Sequence, residues 1–150
     1  MDDYTLTRKG SIYNRTNTLL SGADNLTTMV AVYRFKIDDL TKDYILHLKY
    51  FKIQGNPGSL RSYIITNPGT LNDVSTNQAN VWNEIINTNV NSITTPITKE
   101  DFEIIINKSY FSKATDDYLT IALRATNETL GNYYLLGDYN SYKPYLTIKD

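Results

Sequence analysis

The sequence predicts an all-β protein, an antiparallel β-sandwich of jelly-roll type with at most one or two short helical turns near residues 77–86. Three observations support this class. Apolar and polar residues alternate with a period of two in several segments. Thr, Ile, Val and Tyr, which favour the half-buried surface of a sheet, are abundant, and Tyr alone occurs 13 times. Asn, Asp and Ser, which suit turns, separate the alternating segments at spacings typical of a sandwich.

The first half of the chain contains the clearest strands. After an opening strand at Tyr4–Arg8, the segment Thr28–Ile37 alternates throughout and ends at a turn that contains two aspartates. Tyr44–Ile53 repeats the alternation, so Leu46 and its neighbours two residues away face the core while His47 lies on the other face. A Gly-Asn-Pro-Gly turn stops this strand. Ser62–Thr66 is a shorter strand that ends at Asn-Pro-Gly.

The second half adds one helical segment and four strands. Between residues 77 and 86 the apolar spacing changes, so that Trp82 and Ile85 share one face of a helical turn. We expect Trp82 to be buried against the strand that carries Tyr33 and Phe35. The predicted strands that follow are Phe102–Ile106, Tyr118–Ala125, Tyr133–Leu136 and Tyr145–Ile148. No linker, repeat or low-complexity tract divides the chain, so residues 1–150 are predicted to form a single domain.

Composition excludes several classes of protein. The formal net charge is -1, which argues against a nucleic-acid partner. There is no Cys, so neither a disulfide framework nor a thiolate metal site can form. No apolar run approaches the ~20 residues of a membrane helix, so no membrane insertion is expected. The first residues are acidic and polar, which predicts no signal peptide.

The sequence gives little support to catalysis, and the prediction is that the protein is not an enzyme. His47 is the one histidine, and its place in mid-strand favours a hydrogen-bonded or solvated side chain over a member of a catalytic triad. Glu100, Asp101 and Glu103 are expected in a solvated loop and strand entry rather than as a glycosidase pair. No cofactor is expected. A structural Ca²⁺ is the weaker alternative, with Asp116, Asp117 and Asp138 as the oxygen donors considered.

Four aromatic residues fall in predicted loops, where core packing gives less reason for them, although simple packing within the loop is one explanation. These candidates for contact with a glycan or a protein partner are Tyr110, Phe111, Tyr139 and Tyr142. An aromatic ring among amides and carboxylates stacks on the apolar face of a sugar while the polar groups bind its hydroxyls. Tyr is also enriched where subunits meet. The expected partner is therefore a polysaccharide or glycan, or a neighbouring structural-protein subunit.

The order of five motifs resembles a known family, the DNRLRE-type domains, which are β-sandwich modules related to disaggregatase and to alginate- or chondroitin-binding modules. The motifs, which span most of the chain, are Val32–Ile37 (VYRFKI), Ile45–Tyr50 (ILHLKY), Asn80–Glu84 (NVWNE), Tyr118–Leu123 (YLTIAL) and Lys143–Ile148 (KPYLTI). The resemblance implies a non-catalytic module of the kind found in secreted enzymes, surface proteins and phage structural proteins.

These observations lead to one preferred function and one alternative. The preferred function is attachment or decoration by a non-catalytic module displayed on a phage virion or bacterial cell surface, with glycans as a class of ligand. An extracellular or virion-surface location follows, reached without a signal peptide in this chain. The alternative is a carbohydrate-binding module excised from a larger secreted polysaccharide-active enzyme.

Overall fold

The computed structural model of the protein describes residues 3–7, 12–13, 18–24, 27–65, 82, 85, 92–109, 118–138 and 141–150. Within these residues the chain forms eleven β-strands, and every pairing between them is antiparallel. The strands are β1 (Asp3–Thr7), β2 (Ile12–Tyr13), β3 (Thr18–Asp24), β4 (Thr27–Lys36), β5 (Asp43–Gln54), β6 (Leu60–Ile64), β7 (Ser92–Thr95), β8 (Asp101–Ile106), β9 (Tyr118–Ala125), β10 (Asn132–Gly137) and β11 (Tyr145–Lys149).

The strands form a curled sheet that folds into two layers. The main order is β11-β5-β10-β3-β4-β9-β6-β7, with β1 added beside β4, β2 beside β1, and β8 beside β5. β5 belongs to both layers. Its first half lies between β8 and β11, and its last residues pair with β10. The three strands β11, β5 and β8 therefore form a small layer, called here the β11–β5–β8 layer.

The main core lies between the β11–β5–β8 layer and the larger layer that contains β4, β6 and β9. Burial alternates along β8, which brings Phe102, Ile104 and Ile106 inward. Leu46 and Leu48 of β5 join them, and they meet apolar side chains of the larger layer. Removing this apolar surface from water stabilises the sandwich by about 25 cal/mol per Å². The all-β sandwich class predicted from the sequence is confirmed.

A second apolar cluster covers the other face of the larger layer. Trp82 and Ile85 have helical backbone and are both buried, as the change of apolar spacing predicts. Trp82 packs with Val30 and Val32 of β4. It therefore lies against the predicted strand, but on the opposite face from Tyr33, which belongs to the main core.

The eight predicted strands correspond to β1, β4, β5, β6, β8, β9, β10 and β11, with boundaries that differ by at most two residues. Three strands, β2, β3 and β7, are not predicted from the sequence. Among the helical residues that the structure describes, none belongs to a segment with the length and apolarity of a membrane-crossing helix.

Candidate functional site

The outer face of the β11–β5–β8 layer carries polar and aromatic side chains from three neighbouring strands. His47 on β5 lies opposite Glu103 on β8 and opposite Tyr145 on β11, and Lys49 lies opposite Asp101. Their neighbours along each strand point into the core, so these five residues point outward. Directly opposite residues on one face have Cβ atoms about 5 Å apart. The five side chains therefore form one continuous patch.

An open cleft of about 830 Å³ lies over this patch. His47 contributes to its floor. One wall comes from residues 96 and 98–103, which lead into β8 and form its first residues. The other wall is Tyr142, Lys143 and Tyr145, from the turn before β11 and the start of that strand. The cleft is thus built across three strands that are distant in sequence.

The imidazole of His47 supports the ring of Tyr145. The two rings are stacked with centroids 4.5 Å apart and planes 10° apart. Nε2 of His47 lies 2.7 Å from Oγ1 of Thr147, and Nδ1 lies 3.6 Å from a carboxylate oxygen of Glu103. The imidazole therefore has polar neighbours on both sides, and its position is fixed. Tyr145 stays 54% exposed although one face of its ring is covered.

Tyr142 bridges the two walls of the cleft. Its hydroxyl donates a hydrogen bond of 3.2 Å to Oδ1 of Asp101, and its ring centroid lies 4.3 Å from Nζ of Lys49. The hydrogen bond to the Asp101 carboxylate raises the pKa of the Tyr142 phenol above its usual value, because ionisation would place two anions side by side. The side chain is still 53% exposed.

The backbone of Tyr142 is in the left-handed region, with φ of 57°. This conformation is uncommon for a residue other than Gly, Asn or Asp, and it persists where the surrounding structure imposes it. Here a turn imposes it. The N–H of Asp138 donates to the carbonyl of Ser141 at 3.0 Å, and the N–H of Ser141 donates to Oδ1 of Asp138 at 2.8 Å.

Gly137 and Tyr33 hold this turn against the core. A Cβ at Gly137 would lie 2.5 Å from the carbonyl oxygen of Tyr142, so only glycine permits this close approach. The hydroxyl of Tyr33, buried in the main core, donates a hydrogen bond of 2.7 Å to the carbonyl of Gly137. Burial raises the pKa of Tyr33 well above its usual value, which keeps this donor protonated. The position of Tyr142 thus depends on the core.

Phe51 lies beside Tyr142, away from the cleft. The two rings meet edge to face with centroids 6.2 Å apart, and Phe51 is 44% exposed. The pairing of β5 with β10 shifts at this point, since Leu136 is opposite Tyr50 whereas Leu135 is opposite Lys52. Phe51 is the extra residue of this bulge. The extra residue of a bulge has no direct partner on the neighbouring strand, and a bulge commonly changes the direction of a side chain.

The structure places one of the four aromatic candidates, and it is in the cleft. Tyr142 lines one wall, while Tyr110, Phe111 and Tyr139 lie outside the described residues. Sequence reasoning missed Tyr145 as a site residue. A signal for it is present, because Tyr145 shares the polar face of its strand with Thr147 and Lys149 rather than the face of Leu146.

Within the described ranges, the positive and negative side chains at the cleft are equal in number, and they are unevenly placed. Three carboxylates, those of Glu100, Asp101 and Glu103, all come from one wall. Lys99 and Lys143 also line the cleft, and Lys49 lies under the ring of Tyr142. The predicted solvated position of the carboxylates at the start of β8 is confirmed, since all three are exposed.

No group of three or more His, Cys, Asp or Glu residues suited to a metal ion is found in the described part of the chain. Of the donors considered for Ca²⁺, Asp116 and Asp117 lie outside that part. Asp138 is buried, and its carboxylate accepts the hydrogen bond from the Ser141 N–H. That bond gives Asp138 a structural role in the turn that carries Tyr142.

Comparison of the chain with protein-family models finds no match, and comparison with curated proteins finds none either. The resemblance to DNRLRE-type domains therefore stays a prediction.

Proposed function

We propose that this protein is a non-catalytic β-sandwich module of a virion or bacterial surface, and that it attaches by binding a glycan in the cleft of the β11–β5–β8 layer. One observation carries the proposal. Two tyrosine rings, each about half exposed, stand in an open cleft beside the carboxylates of Asp101 and Glu103. This combination of groups suits a sugar better than it suits an apolar or a highly charged ligand.

The Tyr145 ring is suited to stack on a sugar. His47 covers one of its faces, and Tyr145 is still 54% exposed, so part of the ring remains available to a ligand. The C–H groups on one side of a pyranose ring form an apolar surface, and an aromatic ring removes that surface from water. A ring already fixed by stacking loses little conformational freedom when a ligand binds.

The polar groups around the ring suit hydroxyls. Asp101 and Glu103 supply acceptors, and Lys99 and Lys143 supply donors. A sugar hydroxyl both donates and accepts, so it can bind to either kind of group. A few polar groups placed around an apolar surface fix the orientation of a ligand and give specificity.

The distribution of carboxylates favours binding over hydrolysis. A glycosidase needs two carboxyl groups that flank the scissile bond. Among the described residues that line this cleft, the carboxylates all belong to the segment from Glu100 to Glu103, and the facing wall presents tyrosine and lysine. His47 lines the cleft and stacks on the Tyr145 ring, where it acts as a support.

A glycan array tests the proposal, followed by calorimetric titration with the strongest array ligand. We expect Tyr145→Ala to weaken binding about tenfold or more and Tyr142→Ala to weaken it several-fold, with melting temperatures close to that of the unaltered protein. Leu130→Ala is the matched control, because Leu130 is 69% exposed in the turn between β9 and β10 and lines no part of the cleft.

Two results would contradict the proposal. One is an unaltered protein that is retained on no glycan of the array. The other is an unchanged affinity in both tyrosine variants. If these variants instead change the mass in solution, as light scattering measures it, the cleft is a contact between protein subunits and the glycan proposal is wrong.

A further inference from the structure

The bulge residue Phe51 extends the exposed aromatic surface beyond the cleft. Phe51 contacts Tyr142 edge to face, and Tyr142 lines the same wall as Tyr145. The order of exposed rings along the face is therefore Tyr145, Tyr142, Phe51. In a regular strand, residue 51 would be paired with β10, and the shift of register leaves it without a partner on that strand. Phe51 is 44% exposed.

The length of this surface exceeds one sugar ring. Tyr145 is opposite His47, and Phe51 is four residues further along β5. At about 3.3 Å per residue, the two ends are about 13 Å apart. Tyr142 lies between them, with Lys49 packed against both its ring and the ring of Phe51.

Among the residues that the structure describes, the charge along this surface is balanced. Lys49, Lys99 and Lys143 offset the carboxylates of Glu100, Asp101 and Glu103. A polyanion would bring its repeated negative charges against three carboxylates on one wall, and like charges at short range disfavour binding. A neutral chain meets no such repulsion. The hydroxyls of a neutral chain can donate hydrogen bonds to the carboxylates and accept them from the lysines.

We infer that the ligand is an extended, neutral oligosaccharide that stacks on Tyr145 at one end and on Phe51 at the other. This inference rests on the proposed function and specifies its ligand. Phe51 forms a second subsite, which a mono- or disaccharide bound at Tyr145 does not reach. Affinity therefore rises with chain length until the ligand covers both rings.

The test is a glycan array in which each polymer is present as a series of one to six sugar units. The neutral series are polymers of glucose, xylose, mannose and N-acetylglucosamine. The anionic series are polymers of glucuronate and galacturonate. We expect the unaltered protein to prefer a neutral series and to bind its hexamer more tightly than its dimer. Phe51→Ala should weaken hexamer binding about threefold to tenfold and weaken dimer binding less, because the second subsite is lost while the Tyr145 contact is kept. Tyr145→Ala should weaken both.

Two further variants separate stacking from folding. Phe51→Tyr keeps an aromatic ring at this position and should retain the preference for longer oligosaccharides. Leu130→Ala should behave as the unaltered protein. Preference for a uronate series, equal binding of dimer and hexamer, or an unchanged hexamer affinity in Phe51→Ala would overturn the inference while leaving the cleft as a glycan site. Absence of binding to every series would instead contradict the proposed function itself.

Discussion

The imidazole of His47 lies parallel to the ring of Tyr145, with their centroids 4.5 Å apart. The two residues are 98 positions apart in sequence and are brought together because β5 and β11 pair antiparallel with His47 opposite Tyr145. Aromatic cross-strand pairs contribute roughly 0.2–1 kcal/mol to sheet stability. In this position the pair also fixes the ring that we propose as the main sugar contact.

The first prediction concerns this support. His47→Ala should weaken glycan binding about threefold, because Tyr145 then gains freedom that the ligand must remove. His47→Phe keeps a ring behind Tyr145 and should bind like the unaltered protein. Calorimetric titration measures both. If the alanine variant binds with the affinity of the unaltered protein, His47 does not position Tyr145. That is the interpretation of His47 that the sequence alone favours.

The second prediction concerns the turn that presents Tyr142. Gly137→Ala places a methyl group 2.5 Å from the Tyr142 carbonyl, so the turn must move and the hydrogen bond to Asp101 is lost. We expect a destabilisation of about 1–3 kcal/mol and a several-fold weaker glycan affinity. Urea unfolding and titration measure the two effects. A variant with normal affinity would show that the position of Tyr142 is irrelevant to binding.

The third prediction concerns the second apolar cluster. Trp82 is 4% exposed and packs with Val30 and Val32 of β4. Trp82→Ala should therefore cost roughly 3–5 kcal/mol of unfolding free energy, measured by urea denaturation. Leu130→Ala, which removes an exposed side chain, should cost less than about 0.5 kcal/mol. If Trp82→Ala has the same urea midpoint as the unaltered protein, the packing of Trp82 against β4 is contradicted.

The fourth prediction concerns pH. The side-chain hydroxyl and then the backbone N–H of Thr41 donate hydrogen bonds to Asp39, and they lower the pKa of its carboxyl below the usual value. A lowered folded-state pKa stabilises the fold at pH values above the pKa of the unfolded chain, near 4. This stabilisation disappears as the pH falls through the folded-state value.

Asp39→Ala should accordingly lower the denaturant midpoint at pH 7, and the difference from the unaltered protein should shrink as the solution is acidified below pH 4. Asp38→Ala changes the same charge at the neighbouring exposed position and serves as the control. If the denaturant midpoints of Asp39→Ala and the unaltered protein differ by the same amount from pH 7 to pH 2, the ionised Asp39 carboxylate does not contribute to stability.

The strands with regular alternation are predictable from sequence, and those without it are not. β4 and β9 are long and apolar, and the predicted bounds of β9 are those observed. β3 contains Gly22, whose φ of 139° interrupts the regular strand geometry, and β7 is only four residues long. Neither presents a clear period of two, so pairing within the fold decides their structure.

The candidate site is only partly predictable for a related reason. Tyr142 is identifiable because an aromatic residue in a polar loop has no packing explanation. Tyr145 and His47 each look like ordinary strand residues, and their meaning depends on the register between β5 and β11. Phe51 shares the outward face of its strand with His47 and Lys49 in the sequence pattern, whereas the bulge that leaves it without a partner on β10 is visible only in the strand pairing.

Mapping of the bound glycan by NMR tests whether the cleft of the β11–β5–β8 layer is the sugar site. Amide chemical shifts would be followed while the strongest array ligand is titrated into the labelled, unaltered protein. We expect the largest changes to cluster at His47, Asp101, Glu103, Tyr142 and Tyr145. Changes concentrated elsewhere, with these five amides unmoved at saturation, would contradict the assignment of the cleft as the glycan site.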